Sequence, residues 1–492
     1  MKRIKIFLAQ QIKEIDRLTI KNQGISSLQL MERAVDNLMP YIKEKISMEE
    51  KIHVFSGVGN NGGDGLVLAR KLIERGYDVS IYVVPFSSRH SEDFEINYQQ
   101  LVEAGIRVHT FKSKVHEKAD VIVDAIFGVG LNRPAKGIAA KAIEHINRSG
   151  ARVYAIDMPS GLFADKLNSP ADPIVEAQEV FTFQFPKLSF FFSENEKYVP
   201  RFEIVDIGLD EDVIAATETP YFYLTDVSPL PPRRRFSAKW DYGHAVIIGG
   251  SEGKAGSVCL AAQAAFRMGA GWTSVYVPAG LCAIYQTGCP EIMCMAGNEG
   301  KYLSKIELPS DKYTAGIGPG MGTAPKTIEA FARFITQWKK PVVIDADGLN
   351  ILALNKKLLS KLPEKSVLTP HIYEFMRLDD GWENSAQLIR KAMQFAAEHH
   401  IILVVKRAYT LITNGKELMF NASGNPALAK AGSGDVLTGM LTGLLAQGIA
   451  PYEAAAKAVY WHGKAADIWV ERYAETSLSP LDLIDLIKTV IK

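Results

Sequence analysis

Residues 51–76 read KIHVFSGVGNNGGDGLVLARKLIERG, and this stretch decides the fold of the first half of the chain. KIHVFSG is a short apolar run of strand length, GVGNNGGDG is a glycine loop, and LVLARKLIERG is helix-patterned and closed by Gly76. Strand, glycine turn and helix in that order make a βα unit. Further strand-like runs follow at 78–84, 107–111, 119–128 and 151–161, separated by helix-length stretches. That alternation predicts a parallel, doubly wound α/β sheet. Upstream, Ile12, Ile15 and Leu18 recur at helical spacing, and Ser26 with Gln29 forms a capping box ahead of Met31, Ala34, Val35 and Leu38.

A second β/α series opens with GHAVIIGG (243–250) and continues through 272–277, 313–322, 341–348, 366–371 and 401–407. Between the two series, residues 210–242 carry proline and charged clusters without periodicity, the texture of a linker or docking segment. The expected organisation is therefore two doubly wound α/β domains, 1–212 and 213–492. No residue-level repeat relates them, so the chain reads as a fusion rather than a duplication.

Composition narrows the class. A chain of 492 residues predicts two to four domains at about 100–200 residues each. Its 47% hydrophobic and 23% charged content excludes a disordered or collagen-like protein. Lys+Arg number 56 against 55 Asp+Glu, a net charge of +1 that speaks against a reader of nucleic-acid backbones. Cys259, Cys282, Cys289 and Cys294 form no CxxC pair and have no metal-spaced histidines, so zinc is unsupported and a reducing cytoplasm is expected. The basic start turns polar before a signal-peptide core could form, and no apolar run approaches the roughly 18 residues of a membrane span. A soluble cytoplasmic protein, binding neither membrane nor nucleic acid, is the expectation.

Within the first loop, Gly57, Gly59 and Gly62 spell the dinucleotide fingerprint GxGxxG, but the next strand ends VVPFSS, without the usual acidic residue. Asn60, Asn61 and Asp64 add side-chain oxygens that a plain phosphate cradle does not need; a tight turn with a good cap is the simpler reading. Asp124 and Asp157 close later strands and are followed by GVGLNRP (128–134) and by Ser160–Gly161. Ligands of doubly wound sheets sit beyond the carboxyl ends of the strands, so the three loops should converge there. A partly desolvated carboxylate in such a place is a candidate acid or base, and Asn61, Asp124 and Ser160 could pool oxygens around a hard cation. Capping of the next helix is the alternative for either aspartate.

In the second half, NPALAKAGSGDVLTGMLTGLLAQG (425–448) places Val436, Leu437, Met440, Leu441, Leu444 and Leu445 on one helical face, so a buried helix begins near Gly434. The small residues 431–434 let backbone amides surround an anion, and Asp435 in the first turn could take a proton from a hydroxyl attacking a phosphoryl group. A capped core helix, closely packed at Gly439 and Gly443, is the alternative. GGSEGKAGS (249–257) is not a Walker loop: its spacing is one residue short and Ala255 replaces Ser/Thr. KRAYT (406–410) follows an apolar strand and could meet a nucleotide phosphate, whereas His371 alone suits a surface or capping position. Arg233–Arg235 reads as solvated linker.

LMERA (30–34), GVGNNGGDG, DAIFGVGLNRP (124–134) and DMPSG (157–161) resemble the NAD(P)H-hydrate epimerase family across about residues 1–210. The resemblance implies a Rossmann-like domain whose Asn60, Asn61, Gly62, Gly63 and Asp64, with Gly128, Val129, Gly130, Leu131, Asn132, Arg133 and Pro134, hold a hydrated nicotinamide dinucleotide. It implies that Asp157 contacts substrate, which makes it the chosen acid–base group, and that Asn61, Asp124 and Ser160 hold potassium. From about residue 221 to 492, GGSEGKAGS, GIGPGMG (316–322), DADGLN (345–350), LTPH (368–371) and NPALAKAGSGDVLTG resemble the ribokinase-like superfamily and, within it, the ADP-dependent NAD(P)H-hydrate dehydratases. Implied ADP-binding residues are Lys406, Arg407, Ala408, Tyr409, Thr410, Gly432, Ser433 and Gly434, with Arg407 standing where a glycine is expected. Implied substrate contacts are Ala255, Gly318, Gly320, His371 and the catalytic Asp435. Magnesium is expected beside ADP, and a homo-oligomer as the assembly. The expected activity is bifunctional repair: epimer exchange first, then ADP-driven dehydration yielding AMP and phosphate. The alternative is an ATP-dependent vitamin- or sugar-type kinase fused to a non-catalytic nucleotide-binding module.

Overall fold

Residues 1–491 are described by a computed structural model. The chain divides into two compact units, Lys5–Thr219 and Met1–Ile4 together with Pro220–Lys492. This division falls seven residues beyond 212 and assigns the first four residues to the second unit.

The first unit holds seven parallel strands in the spatial order 108–110, 78–83, 51–56, 121–125, 152–156, 179–183, 202–205. Chain direction through the sheet reverses between 51–56 and 121–125, which makes that crevice the topological switch point. The helix Asn60–Ile73 starts directly from the glycine loop, with Gly59 at its cap. Close approach explains two of the glycines. A Cβ on Gly57 would lie 2.0 Å from the Ile126 carbonyl oxygen, and one on Gly62 would lie 2.0 Å from the Gly57 carbonyl oxygen. Helix Ser27–Lys45 begins with the expected capping box, the Ser26 hydroxyl accepting from the Gln29 amide.

An eleven-stranded sheet organises the second unit, in the order 2–5, 221–226, 418–421, 411–413, 402–405, 367–368, 343–344, 313–317, 244–248, 272–277, 293–296. Strands 411–413 pair antiparallel on both sides, and the central strands from 402–405 to 293–296 are parallel. The stretch read as linker is partly built: Asp210 caps a helix Glu211–Ala216 through its carboxylate, and Tyr221–Asp226 is a sheet strand. Short length and mixed charge hid both elements from periodicity.

Helix Ser433–Ala446 begins one residue before the expected start and packs on Ala255–Arg267. The close-packing feature read from Gly439 is present: a Cβ there would sit 1.9 Å from the Ala261 carbonyl oxygen. Backbone cannot yield as a flexible side chain can. Gly439→Ala is therefore expected to destabilise the second unit by about 1–3 kcal/mol, the usual cost of overpacking. Urea unfolding followed by tryptophan emission checks this, because all six tryptophans lie in this unit.

The cysteines gave one result that the expectation of a reducing compartment did not contain. Cys259 and Cys289 are joined by a disulfide, and the Cys282 and Cys294 sulfurs lie 2.7 Å apart. Among the described residues no helix is long and apolar enough to cross a membrane.

Two candidate active sites

At the switch point of the first unit the three predicted loops do converge, around a cavity of about 950 Å³. Its wall includes Asn60, Asn61, Asp64, the whole run Gly128–Pro134, and Asp157. Gly62 and Gly63 are not in the wall; they are buried in the first helical turn, Gly63 against the Met31 thioether. Phe86, Phe127, Phe183 and Phe185 supply apolar surface, and the helix Ala9–Gln23 closes another side with Ile12, Asp16 and Ile20.

Asp157 takes the left-handed region, with φ +63°, right after strand 152–156. Such a conformation is costly for a non-glycine residue and concentrates at functional sites. One carboxylate oxygen accepts from the Val129 amide at 3.1 Å. The other accepts from the Lys187 ammonium at 2.5 Å and from the Phe183 amide at 3.5 Å. Lys187 is 1% exposed and also donates to the Thr182 hydroxyl and the Phe183 and Phe185 carbonyls. Sequence reading missed it. The available signal was a lone lysine inside the apolar run FQFPKLSFFF (183–192), since such a lysine is rarely buried without a partner.

Asp124 is fully buried, and capping is not its role: helix Gly137–Asn147 is capped at Lys136. Its carboxylate accepts from the Ser160 amide at 2.7 Å, the Ser160 hydroxyl at 2.6 Å and the Ile126 amide at 3.2 Å. Burial outweighs these bonds and pushes its carboxyl up to about 6. Asn61 is 9% exposed, and its side-chain Nδ2 has no partner among the described residues.

Six loops meet at the carboxyl edge of the second sheet. Gly432, with φ +95°, caps the helix Ser433–Ala446 and leaves its first amides free of a side-chain cap. Lys406 sits beside Gly434, and its ammonium lies 2.8 Å from the Asp345 carboxylate and 4.0 Å from Glu374. Asp345 is 2% exposed and accepts from the Thr438 hydroxyl at 2.7 Å. Burial first, then the negative charge of Asp345, pushes Asp435 up to about 6 against a hydrogen bond from Ser257. His371 caps the helix Ile372–Leu378, its Nδ1 accepting from the Tyr373 and Glu374 amides, and bridges in parallel to Lys406. The glycine turns are neighbours too: a Cβ on Gly318 would meet the Asp345 carbonyl oxygen at 1.9 Å, and one on Gly320 the Lys254 carbonyl oxygen at 2.5 Å. Ala255 starts the helix Ala255–Arg267, its carbonyl held by the buried Tyr285 hydroxyl at 3.1 Å. In the 406–410 turn the Thr410 hydroxyl donates to the Arg407 carbonyl, with Ala408 and Tyr409 between them. DADGLN was legible as a motif, but the role of Asp345 as the partner of Lys406 and Thr438 was not.

Two α/β units, each gathering carboxylates and glycine-rich loops at the carboxyl edge of parallel strands, define a two-domain enzyme. Residues 27–189 match the family described as YjeF-related protein N-terminus, and residues 245–489 match NAD(P)H-hydrate dehydratase. The bifunctional NAD(P)H-hydrate repair enzyme Nnr of Moorella thermoacetica is 33% identical over 510 residues, spanning 98% of this chain and 96% of that protein. The chain belongs to this family of bifunctional NAD(P)H-hydrate repair enzymes. Its Thermofilum pendens counterpart is 31% identical across 99% of this chain and 96% of its own. Among solved structures, an ADP/ATP-dependent NAD(P)H-hydrate dehydratase from Bacillus subtilis, co-crystallized with ATP/Mg2+, is 28% identical with a TM-score of 0.46. It covers 53% of this chain and 93% of its own.

Proposed function

We propose that the protein repairs hydrated NADH and NADPH in two steps, the first unit exchanging the R and S epimers and the second dehydrating the S epimer with ADP. The observation that carries the reading is the pair of separate sites within one chain that matches bifunctional repair enzymes over nearly its full length. That match also disfavours the kinase alternative, whose first unit would be non-catalytic.

In the first cavity, Asn60, Asn61, Asp64 and the 128–134 loop would bind the dinucleotide, with Gly62 and Gly63 shaping the loop behind them. Asp157 would be the acid–base group beside the hydroxyl-bearing C6 of the hydrated ring. Potassium fits the oxygen set of Asn61, Asp124 and Ser160, because Asp124 is a fully buried carboxylate that no ammonium or guanidinium pairs with among the described residues. The ion would neutralise that charge and fix the loops.

Backbone amides at Gly432, Ser433 and Gly434, with residues 406–410, would hold ADP in the second site. Ala255, Gly318, Gly320 and His371 would contact the hydrated ring or its dinucleotide. Asp435 would take the proton of the C6 hydroxyl as that oxygen attacks the β-phosphoryl of ADP. AMP departs, and loss of phosphate from C6 with a proton from C5 forms the C5=C6 double bond and restores the dihydropyridine. Magnesium fits on charge grounds. The carboxylates of Asp345, Glu374 and Asp435 share one ammonium, Lys406, so a polyphosphate needs a further cation there. Asp345 and Glu374 would hold it, and it would neutralise charge on the transferring phosphoryl group.

Mixed R and S hydrates of NADH, supplied with ADP or ATP, are expected to return fully to NADH absorbance. Recovery that stops when the S epimer is exhausted would remove the epimerase half of the reading. No recovery with either nucleotide would remove the whole.

A further inference from the structure

We propose that Asp16, on the helix Ala9–Gln23, is a second acid–base residue of the first cavity, delivering a proton to the C6 oxygen while Asp157 serves as the base. The proposal rests on the epimerase reading of this cavity. Asp16 lies upstream of every motif assigned above, yet its side chain lines the same wall as Asp157. Asp16 is only partly exposed, and its carboxyl has no hydrogen-bond partner among the described residues. Asp157 is differently placed: an ammonium and two backbone amides donate to it.

The charged groups facing Asp16 explain the division of labour. Asp64 comes from the helix Asn60–Ile73, Asp157 and Lys187 from the sheet edge, Arg133 and Lys136 from the segment 128–136, and Lys13 and Arg17 from its own helix. Burial, then the negative charge of Asp157, lifts Asp16 to about 7, with Lys187 opposing. Burial, then the negative charges of Asp157, Asp16 and Asp93, push the Asp64 carboxyl well above the usual carboxylate range too, but it belongs to the loop already assigned to substrate binding. Two carboxyl groups in one cavity, one without a hydrogen-bond partner and the other held by an ammonium and two amides, are placed to divide the roles of acid and base.

The chemistry balances. Asp16 gives its proton to the C6 hydroxyl, and the C6–O bond breaks with its electron pair on oxygen, releasing water. The N1 lone pair closes an N1=C6 iminium, which is planar at C6. Water adds from the other face, a new C6–O bond forms, and its proton passes to Asp157. Proton return from Asp157 to Asp16 through solvent restores the enzyme.

The test starts from one separated epimer of hydrated NADH and follows the other by chromatography. Asp16→Asn is expected to lower kcat for exchange about 100-fold, the range of general acid catalysis, with KM within about threefold of wild type. Dehydration of the S epimer should be unaffected, and Asp16→Glu should restore part of the exchange. Sign matters for the pH profile. The acid must be protonated, so wild-type kcat/KM should fall as pH rises through about 7, and that limb should vanish in Asp16→Asn. Wild-type exchange in Asp16→Asn, persistence of the limb in that variant, or a raised KM at unchanged kcat would each overturn the assignment. Should the variant not fold, a wild-type profile flat across the neutral range overturns it equally. If wild type itself exchanges no epimers, the epimerase reading has failed, and the proposal falls with it.

Discussion

Asp435→Asn is expected to slow dehydration by about 10³-fold while epimer exchange stays at the wild-type rate. The asparagine keeps the shape of the first turn of helix Ser433–Ala446 but cannot accept the hydroxyl proton. Because Lys406 and the amides at Gly432–Gly434 are untouched, nucleotide binding should persist, so the loss should fall on kcat rather than on the KM for ADP. The pH dependence follows from the environment of Asp435. Burial and the Asp345 charge push its carboxyl up to about 6. A base must be deprotonated, so wild-type dehydration should rise with pH through about 6 and then level off. Asp435→Asn should show no such rise. A variant that dehydrates at the wild-type rate would remove Asp435 from the chemistry, and loss of epimer exchange in the same variant would contradict two independent sites.

Lys187→Met is expected to destabilise the first unit by about 3–5 kcal/mol, the cost of stripping the partner from a buried ion pair. Methionine fills much of the lysine volume, so the loss is electrostatic and polar rather than a cavity effect. Asp157, 8% exposed, would be left without its ammonium, and the Thr182 hydroxyl and two carbonyls would lose a donor. The tryptophans make the measurement selective. All six lie in the second unit, so their emission should report an unchanged urea midpoint. Hydrogen exchange in Lys5–Thr219 should meanwhile accelerate. Adding Asp157→Asn should return part of the lost stability, since no buried charge then remains unpaired. Unchanged exchange in Lys187→Met would mean that the pair contributes nothing measurable.

Much of both sites could be read from sequence because the chemistry sits in contiguous loops. A strand followed by GVGNNGGDG, or a small-residue run before GDVLTGMLTG, states its own local structure, and doubly wound topology then brings strand ends together. What escaped was non-local. Asp16 stands on a helix whose buried face is Ile12, Ile15 and Thr19, and it reads as an ordinary polar position until the cavity is seen. Lys187 finds Asp157 from 30 residues away in the chain. Asp345 and Thr438, 93 residues apart, share a hydrogen bond that no spacing rule predicts. The Cys259–Cys289 bond likewise joins a helix to a loop 30 residues on.

The strand Lys2–Lys5 was hidden for the same reason: KRIK is too short and too charged to signal a strand, and its place is at the edge of a sheet built from residues beyond 220. Arg3 secures it there, pairing with Glu417 at 2.6 Å and stacking over the Phe222 ring. Order of synthesis and order of assembly are thus opposed in the second unit. Residues 2–5 join a sheet that is complete only when strand 418–421 has emerged. A gene cut between residues 219 and 220 would therefore not free an intact second half. It would yield a fragment whose strand Tyr221–Asp226 presents a bare row of amides and carbonyls, an invitation to pair with other copies.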